Sequence, residues 1–157
     1  MGRIDEVPTG EVRAGQVQAS VVQARAVQAT AVRSVLRLNA GVTAACGAVM
    51  LVAGAPLAEA MEVDRLVVTA VAAFFLVLGI DVWLLAGRSA GVVIGTARLL
   101  AVADAGWTAG TMAIVAAGLV PFPGALLPLA VAAVTAGFAV AEHRAAGGAR
   151  TAEPALA

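Results

Sequence analysis

The chain has 157 residues, enough for one domain. Hydrophobic residues make up 61% of it and charged residues 13%, with a mean hydropathy of +0.95; a soluble domain is about half apolar and about a quarter charged, so lipid rather than water is the expected solvent. Ten basic residues, all arginine, balance ten acids, and a net charge of zero with the arginines scattered speaks against nucleic acid as a partner.

Residues 1–35 lack the apolar core of a signal peptide, and Arg3, Arg13, Arg25 and Arg33 are spread through them. They hold a run of pentads beginning at Val12, Val17, Val22, Val27 and Val32. A five-residue period fits neither helix nor strand by itself. At helical spacing, however, Val17, Val21, Ala24, Ala31, Val32, Val35 and Leu38 share one side, while Arg25, Arg33 and Arg37 fall on the other. This is a weak basic amphipathic helix, of a kind that lies on a membrane surface or runs on into a spanning helix. Residues 1–11, with Pro8 and Gly10, are expected to be disordered.

Four apolar runs follow. The first spanning helix is expected from about Leu38 to Leu57, stopped by Pro56, then an acidic loop from Glu59 to Arg65. The second runs from about Leu66 to Ala86 and closes on Gly87-Arg88-Ser89. The third begins between Val92 and Arg98 and reaches about Leu119, before the turn Pro121-Phe122-Pro123-Gly124. The fourth runs to about Glu142, with Pro128 tolerated near its first turn, and 145–157 read as a flexible tail. The fold class expected is therefore all-α: an N-terminal cytoplasmic arm (1–35), a four-helix transmembrane domain (36–144) and the tail. Arg25, Arg33, Arg37, Arg88, Arg98, Arg144 and Arg150 collect on one side of the membrane, and Arg65 alone, beside three acids, lies on the other. The loops are short enough for the positive-inside rule, so both termini are expected in the cytoplasm of a cell-membrane protein.

The four helices read as two repeated hairpins. Asn39-Ala40-Gly41-Val42-Thr43-Ala44 recurs 65 residues later as Asp104-Ala105-Gly106-Trp107-Thr108-Ala109, Pro56 recurs as Pro121, and Val68-Thr69-Ala70 recurs as Val134-Thr135-Ala136. Asp104, Thr108 and Thr111 share one face of the third helix at i, i+4, i+7, and Asn39, Thr43 and Cys46 hold the equivalent positions of the first. Such residues face other helices, and the small pairs Gly41/Ala45 and Gly106/Gly110 are expected to let backbones approach.

Asp81 and Asp104 stand out as acids inside spanning runs. An ionised carboxylate there costs a few kcal/mol unless paired or hydrated. One reading makes the two a shared proton- or cation-coupled site. The other, favoured here, neutralises them with Arg88 and Arg98, which can snorkel toward them from the interface, with both aspartates pointing into the bundle. Trp83 and Trp107 either cover these acids or anchor the interface. Cys46, the single cysteine, can form no intrachain disulfide and reads as a small core residue. Glu142-His143-Arg144 ends the fourth helix at the surface and offers no third metal ligand. No metal, cofactor or enzyme activity is expected, because nothing matches a phosphate loop, a nucleophile elbow or a paired-cysteine motif.

Leu36-Arg37-Leu38-Asn39-Ala40 and Gly79-Ile80-Asp81-Val82-Trp83-Leu84 resemble segments of small, uncharacterised four-helix membrane proteins common in bacterial genomes. The resemblance covers residues 36–142 and implies topology rather than activity. Small multidrug exporters also have four helices but use a glutamate in the first, where this chain offers only Asn39. The function expected is a structural or accessory membrane subunit, packing through small-residue helix faces against a second copy or another membrane protein. The alternative is a small dimeric transporter or channel with Asp81 and Asp104 on its pathway.

Overall fold

Proline decides where two of the helices stop. Its ring collides with the carbonyl four residues earlier and it has no N–H to donate. In the computed structural model, which describes residues 9–122 and 124–147, helix α1 (Thr9–Val52) ends four residues before Pro56. The chain restarts at once as α2 (Gly54–Met61), where Pro56 occupies the first turn and its missing donor has no intrahelical partner to lose. Pro56 thus displaces the helix end upstream of the expected Leu57. Pro121 acts in the same way on α4 (Ala90–Ala116), whose last helical residue lies five positions before it. There Gly118 adopts φ +67°, the N–H of Leu119 donates to Ile114 O (3.2 Å) and that of Gly118 to Val115 O (3.0 Å). This is a Schellman cap, and its left-handed residue is the one a glycine occupies without strain.

Between these lies α3 (Arg65–Leu85), opened by Asp64, whose carboxylate accepts from Leu66 N at 2.6 Å. Helix α5 (Leu126–Gly147) runs past the expected end at Glu142 by more than a turn. Among the described residues there is no strand, and four helices are long and apolar enough to cross a membrane. The fold is all-α and multi-pass in character, as the hydropathy implied.

The N-terminal arm is not a separate body. It is continuous with the first span, so α1 is 44 residues long, about 66 Å at 1.5 Å per residue. Helix already begins at Thr9, inside the segment expected to be disordered; residues 1–8 and the tail from 148 onward lie outside the described residues. Of the stripe from Val17 to Leu38 only Val32 is fully buried, and Val17, Val21, Ala24, Ala31 and Leu38 are exposed. The face that packs is instead Ala29, Val32, Leu36, Asn39 and Ala40.

Two pairs of helices pack tightly, α1 with α3 and α4 with α5, while α3 and α4 barely touch. The pairs close against each other at the end where Val32, Leu36 and Ala40 of α1 meet Val82 and Ala86, Val93, Ala97 and Leu100 of α4, and Ala146 of α5. Two polar ties reinforce that end. Gln28 Nε2 donates to the C-terminal carbonyls of α5, Ala145 O (3.1 Å) and Ala146 O (3.2 Å), and Arg33 Nη2 donates to Arg88 O (3.0 Å). Helix C-termini leave carbonyls without intrahelical donors, which is what Gln28 supplies. At the opposite end Gly124 lies directly on the backbone of Ala60 and Met61. The molecule is thus closed at both ends, with an apolar crevice between the pairs along its length.

Candidate functional site

The floor of that crevice is polar. One turn above the closed end, each of three helices replaces a core residue with a hydrogen-bonding one: Asn39 follows Leu36 on α1, Asp104 follows Leu100 on α4, and Glu142 precedes Ala146 on α5. Asn39 Nδ2 donates one proton to Asp104 Oδ2 (3.0 Å) and the other to Glu142 Oε1 (2.7 Å). Its Oδ1 accepts from the hydroxyl of Thr43, one turn along α1, at 3.0 Å. Because a carboxylate oxygen can only accept, the two acids fix which way the amide points, and the Thr43 hydroxyl, which can donate or accept, turns its proton to Oδ1. Every polar atom of the Asn39 amide is used.

The carboxyls are less well served. Glu142 is 0% exposed, yet among the described residues its Oε2 has no hydrogen-bond partner. Asp104 is half-buried and faces the cavity. The two acids share a single neutral donor, and buried carboxylate oxygens are costly to leave unpaired. Among the described residues the cluster therefore has no counter-charge, which a proton or another small cation would supply.

Ala40, beside Asn39, lies against Gly79 of α3, six residues before that helix ends at Leu85. The cluster is therefore about 9 Å inside the end of the bundle. Above it opens a cavity of about 310 Å³, whose walls include Phe74, Phe75, Trp107, Val131 and Phe138, with Asn39, Thr43, Cys46, Asp104 and Thr135 as its polar fittings. A second cavity of about 590 Å³ continues toward Met61 and Val120 and is almost wholly apolar. Phe75 and Trp107 line both cavities and meet edge-on with centroids 5.1 Å apart, so the aromatic pair forms the constriction between them.

The third helix carries its polar stripe inward as expected. Thr108 bonds Asp104 O within α4 (2.8 Å), reaches Ala132 O on α5 (3.2 Å) and shares a hydrogen bond with Thr135 Oγ1 (2.9 Å); Thr111 is buried. These bonds hold α4 to α5 and set the height of Asp104.

Four readings of the sequence are corrected here. Asp81 does not point into the bundle: it is exposed, one turn before α3 ends, and takes no part in the cluster. Arginine does not neutralise Asp104. Its side-chain hydrogen-bond partner is Asn39, while Arg88 and Arg98 are exposed. Trp83 is exposed and lies under Arg37, whose guanidinium carbon is 5.9 Å from the ring centroid; it covers no acid. Glu142, expected at the surface, is instead fully buried, the most deeply buried acid among the described residues. Its neighbours His143 and Arg144 are exposed, and among the described residues no three His, Cys, Asp or Glu side chains converge to hold a metal.

The small-residue pairs are corrected as well. A Cβ at Gly41, Gly106 or Gly110 would meet nothing within 4 Å, whereas Gly47 and Gly79 lie directly against the facing backbone, where α1 crosses α3. No family model, curated protein or solved structure matches this chain.

Proposed function

We propose that the chain is a small multi-pass membrane carrier in which Asp104 and Glu142, oriented by Asn39, take up and release a proton or another monovalent cation at the base of an intramembrane crevice. One observation carries this reading: a fully buried glutamate with an unpartnered oxygen, hydrogen-bonded through a shared amide to an aspartate that faces a cavity. An accessory role through helix packing has no use for that arrangement. Apolar side chains of similar volume hold helices together at lower cost than a half-satisfied polar cluster. The earlier pairing of Asp81 with Asp104 gives way to Glu142 with Asp104, and no enzyme chemistry is assigned.

Reconstitution tests it. Vesicles holding the protein are expected to pass protons, sodium or potassium down an imposed gradient. Asp104→Asn and Glu142→Gln, which keep the shape of the cluster, are expected to reduce the flux at least tenfold, and Asp81→Asn to leave it unchanged. Vesicles as tight as empty ones to all three ions would return the chain to an accessory role.

The same reading carries an orientation. Arg33, Arg37, Arg88, Arg98 and Arg144 lie toward the closed end that holds the cluster, and Arg65 at the other, beside Glu62 and Asp64. The arginine-rich end is assigned to the cytoplasm, with both termini, in a bacterial cell membrane. The 65-residue offset is read as an ancestral duplication whose two polar residues, Asn39 and Asp104, now bond each other. In a Cys46-free background, cysteines placed at Glu62 and at Ser89, both exposed, are expected to differ toward a membrane-impermeant thiol reagent in intact cells. Glu62→Cys labels and Ser89→Cys does not; the reverse pattern inverts the topology.

A further inference from the structure

We infer that the crevice above Asp104 binds a lipophilic organic cation, a molecule with one positive charge and an aromatic or branched alkyl body. The inference rests on the reading of Asp104 and Glu142 as a cation-holding pair and names what else that pair would hold.

Three features select this chemistry. The cavity is of the size that takes a small organic ligand, at about 310 Å³. Its walls are aromatic, from Phe74 and Phe75 on α3, Trp107 on α4 and Phe138 on α5, and its one charged lining residue among those described is Asp104. Aromatic faces attract cations as well as apolar groups, so the walls tolerate the charge that the floor requires. An anion would meet the Asp104 carboxyl, with Glu142 buried behind it, and no positive side chain among the described lining residues. A neutral molecule would fill the space and leave the carboxyls without counter-charge.

Size and access fit as well. The second cavity, about 590 Å³, continues past the Phe75–Trp107 constriction, so a body longer than the first cavity can extend toward Met50 and Ile114. Both ends of the crevice are closed, by the core around Leu36 and by Gly124 against Ala60, while α3 and α4 barely touch. The way in is therefore sideways, from the bilayer, which is where a lipophilic cation concentrates. A strongly hydrated ammonium compound has no such route.

Tetraphenylphosphonium and tetraphenylborate share shape and hydrophobicity and differ in the sign of their charge, which makes them the probes. Trp107 lines the cavity and Trp83 faces outward beneath Arg37, so the full chain carrying Trp83→Phe reports from the cavity alone. In detergent, tetraphenylphosphonium is expected to quench Trp107 fluorescence saturably and tetraphenylborate not to do so. Asp104→Asn and Glu142→Gln are each expected to weaken the phosphonium at least tenfold. Phe138→Ala, away from the hydrogen-bonded cluster, is expected to weaken it several-fold and gives the answer if the carboxyl variants do not purify folded. Binding with no ion flux in vesicles would keep this site and remove the carrier. Equal quenching by both ions, or unchanged phosphonium binding in Asp104→Asn, or in Phe138→Ala where that variant decides, would overturn the inference while leaving any inorganic ion flux standing.

Discussion

Gly79→Val is expected to separate α1 from α3 and unfold the bundle in detergent. A Cβ at Gly79 would stand 2.8 Å from Ala40 O, Ala44 N and Ala44 Cβ; one at Gly47 would stand 2.7 Å from Ala72 O and 2.9 Å from Leu76 N. Most of these neighbours are backbone atoms, which cannot rotate away as a side-chain tip can. Overpacking a well-packed site costs about 1–3 kcal/mol and sometimes more, and a branched side chain here belongs at or above the top of that range. In lipid the loss is hard to recover elsewhere, because helix association depends on close packing rather than on a hydrophobic driving force. Thermal melts followed by size-exclusion chromatography read the effect. Gly106→Ala and Gly110→Ala provide the contrast: with nothing within 4 Å of the added methyl and alanine the better helix former by about 1 kcal/mol, they are expected to melt no lower than the parent. Parent-like melting of both Gly79→Val and Gly47→Val would refute the α1–α3 packing.

That contrast also marks how far the chain could be read from its residues. Span number and approximate ends follow from apolar run length and from proline, whose effect reaches back about one turn, so that the stops fall at Val52, four residues before Pro56, and at Ala116, five before Pro121. The inward face of the third helix was legible because Asp104, Thr108 and Thr111 recur at helical spacing. Asp81 has no such company. Its neighbours at i−4 and i+3, Val77 and Leu84, are apolar, and all three are exposed, while the buried face of α3 passes through Gly79 and Val82. Glu142 reads as a surface residue because it precedes His143 and Arg144, a charged run that marks a helix end. Five more residues of α5 turn the same glutamate into a buried one. Which glycines touch a backbone cannot be told from spacing, since Gly41, Gly47, Gly79 and Gly106 all sit in equally apolar runs and differ only in what faces them.

Asn39→Leu is expected to be as damaging as any glycine change, by a different route. Leucine has a similar volume, so little is lost in packing, but three hydrogen bonds vanish: to Asp104, to Glu142 and from Thr43. Leaving a buried acceptor without its donor costs about 1–3 kcal/mol, and more where the group is charged. A loss at or above the top of that range, about 3 kcal/mol, is expected in detergent unfolding, together with the loss of ion flux and of phosphonium binding. Asn39→Asp keeps the shape but turns the shared donor into a third acid, and is expected to be at least as destabilising. Replacing the whole cluster, Asn39→Leu with Asp104→Leu and Glu142→Leu, separates the two roles. With no carboxyl of the cluster left stranded, stability is expected to return to within about 1–2 kcal/mol of the parent or to exceed it, as apolar replacement of buried ionic groups commonly does, while flux stays abolished. That outcome identifies a cluster kept for what it binds rather than for what it holds together. A triple variant as unstable as Asn39→Leu alone would mean that the hydrogen bonds among α1, α4 and α5 are themselves what keeps the bundle closed, and the carrier reading would lose its main support.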